Sequence, residues 1–194
     1  MSQVILDVET KKIFDEVGGF FPEKLGVSFV GVCLRDNSNQ KGQMLSFFEK
    51  DLPQLFNLLE KTDLIIGFNV DAFDLPTLAP YYYGNLSKIP TLDLMIKIKE
   101  SCGHRISLNA VAKATLNAGK TGSGLDAVKY YRSHQLEKLK NYCLQDVKLT
   151  RDIYDYGLKK GTIKFNNKWN RLVDCPIDFK VKIVKNIGTQ KNLL

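Results

Sequence analysis

The period of apolar and polar positions changes several times along the chain, and each change marks an element. VILDVET, residues 4–10, is an apolar run of strand length that closes on two acids. GVSFVGVCLR (26–35) and KGQMLSFFEK (41–50) are rich in β-branched and aromatic residues and flank the polar turn DNSNQ. With the first run they predict a three-strand meander. In DLPQLFNLLE (51–60) the spacing becomes helical, with Leu52, Leu55, Leu58 and Leu59 on one face, Asp51 at the N-cap and Pro53 in the first turn. DLIIGF (63–68) is a continuous apolar run, as expected of a central strand covered on both faces. KIPTLDLM (88–95) predicts a short strand entering a helix capped by Thr91 or Asp93, and RISLNAVAKATL (105–116) a further helix. The strongest helix runs from Gln135 to Leu158, where Leu136, Leu139, Cys143, Val147, Ile153 and Tyr154 form a stripe. Beyond it, GTIKFNN and RLVDCPIDFKVKIV alternate and predict a basic hairpin with a third, looser strand.

Two connections bear on function. KKIFDEVGGFFPEKLG (11–26), broken by Gly18, Gly19 and Pro22, is long enough to lie over an active-site mouth. Its Phe14, Phe20 and Phe21 read as core or loop packing in preference to base stacking. NAGKTGSG (117–124) contains Gly119, Lys120 and Thr121, the end of a phosphate-binding loop, but Ala114 stands where that loop needs glycine and a helix stands where it needs a strand. This excludes a P-loop NTPase and leaves a linker or substrate-side loop.

A chain of 194 residues, 44% hydrophobic and 25% charged, suits one buried α/β domain over residues 1–158 with an appendage over 159–194. No apolar run approaches the roughly eighteen residues of a membrane span. The start has no basic segment ahead of its apolar residues, so no signal peptide is expected. Cys33, Cys102, Cys143 and Cys175 show no metal-ligand spacing, and reduced thiols in a cytoplasmic protein are expected. The net charge is +7, and ten Lys/Arg against four Asp/Glu fall from residue 151 onward, so the body is nearly neutral and the tail basic. Such a tail either attracts a phosphate backbone or is an ordinary lysine-rich surface.

The two acids of the first strand, Asp7 and Glu9, are separated by one residue, so both lean to one face. Like charges so close repel unless a cation compensates them, and hard oxygen donors suit Mg²⁺ or Mn²⁺. The plain alternative is a solvated acidic turn. Asp74 lies just past the strand at 63–68, on the sheet edge where ligands collect. Asp146 lies on the long helix with Tyr142 one turn before it, so phenol and carboxylate share a face. Four carboxylates from three segments then have the makings of a two-metal site for displacement at phosphorus.

LDVET (6–10), NVDAFD (69–74) and YCLQD (142–146) resemble, in order, the three exonuclease motifs of the DEDD superfamily of 3′-to-5′ exonucleases, and Tyr142 places the likeness in the tyrosine branch. GFNVDAFDLPTL and SLNAVAKATL also resemble the proofreading domains of family B DNA polymerases, and the length is similar to stand-alone domains of the YprB type. The resemblance covers roughly residues 3–158. It implies a ribonuclease H-like fold: a mixed five-stranded sheet, three antiparallel strands and then two parallel ones, with helices on both faces.

The resemblance also implies roles. Asp7 would bridge two Mg²⁺ or Mn²⁺ ions, Glu9 and Asp146 would complete the site of the ion that activates water, and Asp74 would hold the second. Tyr142 would orient the attacking water, since a phenol of ordinary pKa near 10 is a poor base at neutral pH. The substrate would be a single-stranded 3′ end, released as nucleoside 5′-monophosphates. Thr10 stands where the terminal nucleotide is often met, or is structural. Asn69 either meets nucleic acid or holds the turn of the second motif. Phe73 stacks on the last base or, preferably, packs beneath the site, and Asp93 is explained as a helix cap. Lys159, Lys160 and Lys164 are the expected backbone contacts of the tail. DNA against RNA stays open, as does whether a helicase or polymerase works alongside. The rival reading is a catalytically quiet ribonuclease H-like module that binds nucleic acid or a partner.

Overall fold

A computed structural model describes residues 1–36, 39–119, 122 and 124–181. Asn37 and Ser38 of the expected turn, Lys120, Thr121 and Ser123 of the expected loop, and the end of the expected third strand from Lys182 lie outside the described residues. The strands β1 (Gln3–Thr10), β2 (Val27–Arg35) and β3 (Gln43–Phe48) form the meander. Helix α1 (Leu52–Leu59) crosses to β4 (Leu64–Gly67), a π-helical turn at Val70–Asp74 leads into the short α2 (Leu75–Leu78), and β5 (Thr91–Asp93) follows. Then come α3 (Leu94–Cys102), α4 (Leu108–Leu116), α5 (Gly124–Arg132) and the 25-residue α6 (Leu136–Lys160). A separate antiparallel pair, β6 (Thr162–Asn166) and β7 (Leu172–Pro176), ends the described chain.

The sheet order is β3-β2-β1-β4-β5, with β1 antiparallel to β2 and parallel to β4. This is the mixed five-stranded arrangement expected. Alternation along β1 sends Val4, Leu6 and Val8 to one face, where they pack with α1 and α2 residues such as Leu55 and Leu78. Ile5 faces the other side, with Val147 and Ile153 of α6 and Val111 of α4. All these are fully or almost fully buried, and each such side chain contributes about 1.5–3 kcal/mol by leaving water. Asp7 and Glu9 continue the row that Ile5 begins, so at the end of β1 the α6-facing surface turns from apolar to acidic.

Helix α6 runs antiparallel to β1. Near its start Cys143 Sγ lies 3.3 Å from the Asp7 carbonyl, and near its end the Tyr154 hydroxyl accepts from Gln3 Nε2 at 3.3 Å. Buried Arg35 adds a two-pronged pair from β2 to Asp155, at 2.7 and 3.1 Å. The close approach of helix and sheet depends on Gly31, the residue paired with Asp7 across β1 and β2. An added Cβ there would stand 3.0 Å from Cys143 Sγ and Val147 Cγ2.

Two expectations are corrected. Cys102 and Cys175 form a disulfide between the end of α3 and β7, across 73 residues, while Cys33 and Cys143 are free and buried. Spacing along the chain cannot reveal such a pair, because the fold alone brings the two ends together. The third strand is absent over residues 177–181. Its alternation has another cause: Ile177 and Phe179 pack inward, Phe179 against Gly157 of α6, and Ile177 N–H bonds the Gly161 carbonyl at 2.9 Å. Among the described residues no helix is long and apolar enough to cross a membrane.

Candidate active site

A pocket of about 450 Å³ opens at the C-terminal end of β1. Asp7, Glu9 and Thr10 form its floor, Tyr142 and Asp146 of α6 one wall, Gly124, Leu125 and Val128 of α5 another, and Phe14 and Phe73 close the rim. The acids of the first and third motifs, far apart along the chain, thus share one cavity. Glu9 and Asp146 are nearly buried and Asp7 partly so. One carboxylate oxygen from each of Asp7 and Glu9 lies within 4.8 Å of the other and of Cys143 Sγ.

Asp74 joins from behind. Strand β4 pairs with β1 only from Gln3 to Ile5, so the Val8 N–H has no strand partner on that side, and Asp74 Oδ1 accepts it at 2.8 Å. The carboxylate is delivered by the π-helical turn, which is itself held by Asp93. Asp93 accepts from the backbone N–H groups of Asn69 (2.9 Å) and Asp71 (3.2 Å), and caps α3 through Met95 (2.9 Å) and Ile96 (3.3 Å). The cap explanation is therefore correct and incomplete, since the same side chain clamps the segment that carries Asp74.

Negative charge converges here. Burial first, and then the neighbouring Asp7, push the Asp74 carboxyl well above its ordinary range, against the opposing Val8 N–H. Burial raises the Tyr142 phenol, with Asp146, Glu9 and Asp7 next in order, so a single hydroxyl senses three of the acids. Burial, Asp7 and Glu9 likewise raise the Cys143 thiol, which stays neutral and is a poor ligand for a hard ion. The donors left are carboxylate oxygens, the set that suits Mg²⁺ or Mn²⁺.

The remaining expected residues divide. Thr10 and Phe73 line the pocket; Thr10 Oγ1 donates to the Lys12 carbonyl at 2.8 Å, and Phe73 meets Phe14 edge-on at 6.0 Å between centroids. Phe14 stacks on Phe20 at 4.7 Å, yet Phe20 and Phe21 stand exposed rather than packed in a core. Asn69 sits in the left-handed region (φ 77°) at the start of the π-helical turn and does not line the pocket. Lys159 and Lys160 lie at the far end of α6, about 20 Å along the axis from Asp146 at about 1.5 Å per residue. Lys164 lies beyond them on β6, 3.5 Å from Asp174.

Sequence reasoning missed the α5 wall, Gly31 and Cys143. A signal existed for Gly31, because a lone glycine inside a β-branched strand marks a close backbone approach.

A family model described as the RNase_H superfamily matches residues 4–157. The chain belongs to the RNase H superfamily. Among solved structures, the family B DNA polymerase from the hyperthermophilic archaeon Pyrobaculum calidifontis aligns at a TM-score of 0.62 and 17% identity, over 81% of this chain and 24% of the polymerase. It shares the superfamily fold. Apo exonuclease I aligns at a TM-score of 0.48 and 14% identity, over 81% of this chain and 42% of its own. E. coli exonuclease I in complex with a dA16 oligonucleotide aligns at 0.48 and 13%, over 81% and 41%. The chain thus spans less than half the length of each of these proteins. No curated protein matches it.

Proposed function

We propose that this chain is a metal-dependent 3′-to-5′ exonuclease acting on single-stranded DNA or RNA and releasing nucleoside 5′-monophosphates. The observation that carries the reading is the pocket where Asp7, Glu9 and Asp146 meet Tyr142, with Asp74 tied to the same strand at Val8. A module that only bound nucleic acid would gain nothing by gathering negative charge against a phosphate backbone. That weighs against the quiet-module reading.

Asp7, Glu9, Asp146 and Asp74 would hold two Mg²⁺ or Mn²⁺ ions, which supply charge neutralisation at the scissile phosphate and an activated water. The chain's own residues do the positioning. Tyr142 orients the attacking water beside Asp146. Thr10, Phe14 and Phe73 bound the space for the terminal nucleotide, and Leu125 and Val128 of α5 give it an apolar side.

The test is digestion of an oligonucleotide labelled at one end or the other, with Mn²⁺. Wild type should shorten the strand from its 3′ end and stop when EDTA is added. Asp7→Asn and Asp146→Asn should each abolish digestion while circular dichroism stays native. Undiminished digestion by either variant overturns the site, and shortening from the 5′ end overturns the polarity.

A further inference from the structure

Beside the acid pocket lies a second cleft of about 610 Å³, between the start of β2, the end of β3 and the C-terminal end of α5. Ser28, Phe48, Lys50, Tyr131, Arg132 and His134 line it. Helix α5 links the two cavities. Leu125 and Val128 line the acid pocket and Arg132 the cleft, and residues three, four and seven apart share one helix face. From Val128 to Arg132 the helix rises about 6 Å. A nucleic-acid strand advances about 3.4 Å per stacked nucleotide, so the step between cavities is one or two nucleotides.

The chemistry of the cleft suits a nucleotide. Phe48 and Tyr131 are half-buried rings, and a base stacks on an aromatic face whatever its sequence. Lys50 and His134 are exposed at the margin and suit phosphate, while the exposed Arg132 beside them is paired with Glu16. Glu49 also lines the cleft, but its charge is engaged by Lys11 at 2.5 Å and the Tyr81 hydroxyl at 3.0 Å; Glu16, outside the lining, holds Arg132 at 2.7 Å. An independent observation is Ser28. It is 1% exposed, and its hydroxyl has no hydrogen-bond partner among the described residues. A buried hydroxyl in that state destabilises the fold, and an incoming polar group would satisfy it.

We infer that this cleft holds the nucleotide one or two steps back from the strand end, with its base against Tyr131 and Phe48. The inference rests on the exonuclease reading for the direction of the strand, and on the cleft's own residues for the ligand. Substrates too short to reach the cleft are held by the acid pocket alone.

The experiment uses oligo(dA) of two and of five nucleotides. Binding is read by fluorescence anisotropy in EDTA, and digestion with Mn²⁺. Tyr131→Leu keeps apolar bulk and removes the ring; it should weaken binding of the pentamer about tenfold and leave dimer digestion within about twofold. Ser28→Ala should weaken pentamer binding about threefold with a melting temperature unchanged or raised, because no protein hydrogen bond is lost. If both variants bind and digest the pentamer as wild type does, the cleft is not a subsite, and the exonuclease reading stands on Asp7→Asn. Equal loss of pentamer binding and dimer digestion in Tyr131→Leu would make Tyr131 a packing residue and also overturn the inference. Tyr131-dependent binding of the pentamer by a wild type that digests neither oligonucleotide would sustain the cleft and sink the exonuclease reading.

Discussion

At Gly31, a methyl group would meet sulfur and methyl at 3.0 Å and Leu144 Cδ2 at 3.3 Å, all on the helix that brings Asp146 to the pocket. Gly31→Ala should therefore push α6 outward by a few tenths of an ångström. We expect a loss of about 1–3 kcal/mol in urea unfolding and a fall in digestion out of proportion to it, since small misplacements of reacting groups are costly. Tyr142→Phe poses the opposite case. The ring stays in its cluster with Phe29, Ala127 and Leu139 while the hydroxyl beside Asp146 is lost. Single-turnover digestion should slow by about 10- to 100-fold with the unfolding midpoint unchanged. Asp7 with Glu9, and Tyr142 with Asp146, were legible as pairs because strand alternation and a one-turn helix step put each pair on one face. Their roles in one site were what the family resemblance implies. Cys143 was legible only as one more apolar stripe position, and its contact with Asp7 depends on which strand the helix covers.

Among the elements, the meander followed from the run of apolar positions and the parallel strands beside it from the family resemblance, whereas neither pointed to α5. Its segment, GLDAVKYYR, buries only Ala127 and Val128; Leu125 and Tyr131 line cavities, and Tyr130 and Tyr131 are only partly buried against the core. A helix that lines a site lacks the full stripe by which helices are recognised. The π-helical turn at Val70–Asp74 was equally hidden, because such turns have no sequence period of their own. Asp93 fixes that turn with two hydrogen bonds and α3 with two more. Asp93→Ala should cost about 1–3 kcal/mol in denaturant unfolding and lower digestion through Asp74. Asp93→Asn, retaining one acceptor oxygen, should fall between.

Over the whole molecule, the acid cluster and the fastening occupy opposite ends. The disulfide, the β6/β7 pair and the Gln3–Tyr154 contact lie away from the acids, at the N-terminal end of β1. Opening the Cys102–Cys175 bridge with dithiothreitol, or replacing both cysteines by serine, should lower stability by about 2–4 kcal/mol. Digestion at 25 °C should persist, and a melt followed with and without reductant checks both halves. Charge separates in the same way. Neutralising Lys159, Lys160 and Lys164 should weaken strand binding at low salt and leave it unchanged near physiological salt, where screening sets in over about 8 Å. A salt titration of affinity checks this. The basic tail was plain in the sequence, but its distance from the acids follows from the direction of α6 relative to β1, which composition cannot show.

The lengths of β1 and β4 complete the picture. β1 runs for eight residues and β4 for four, so their ladder stops well short of the acids and leaves a notch in the sheet. Two further residues of β4 would zip that notch shut, give the Val8 amide an ordinary carbonyl and evict the Asp74 carboxylate. The sheet would be more complete, and Asp74 would lose its tie to the strand that carries Asp7 and Glu9. Incomplete pairing at this seam is the vacancy that the Asp74 carboxylate fills.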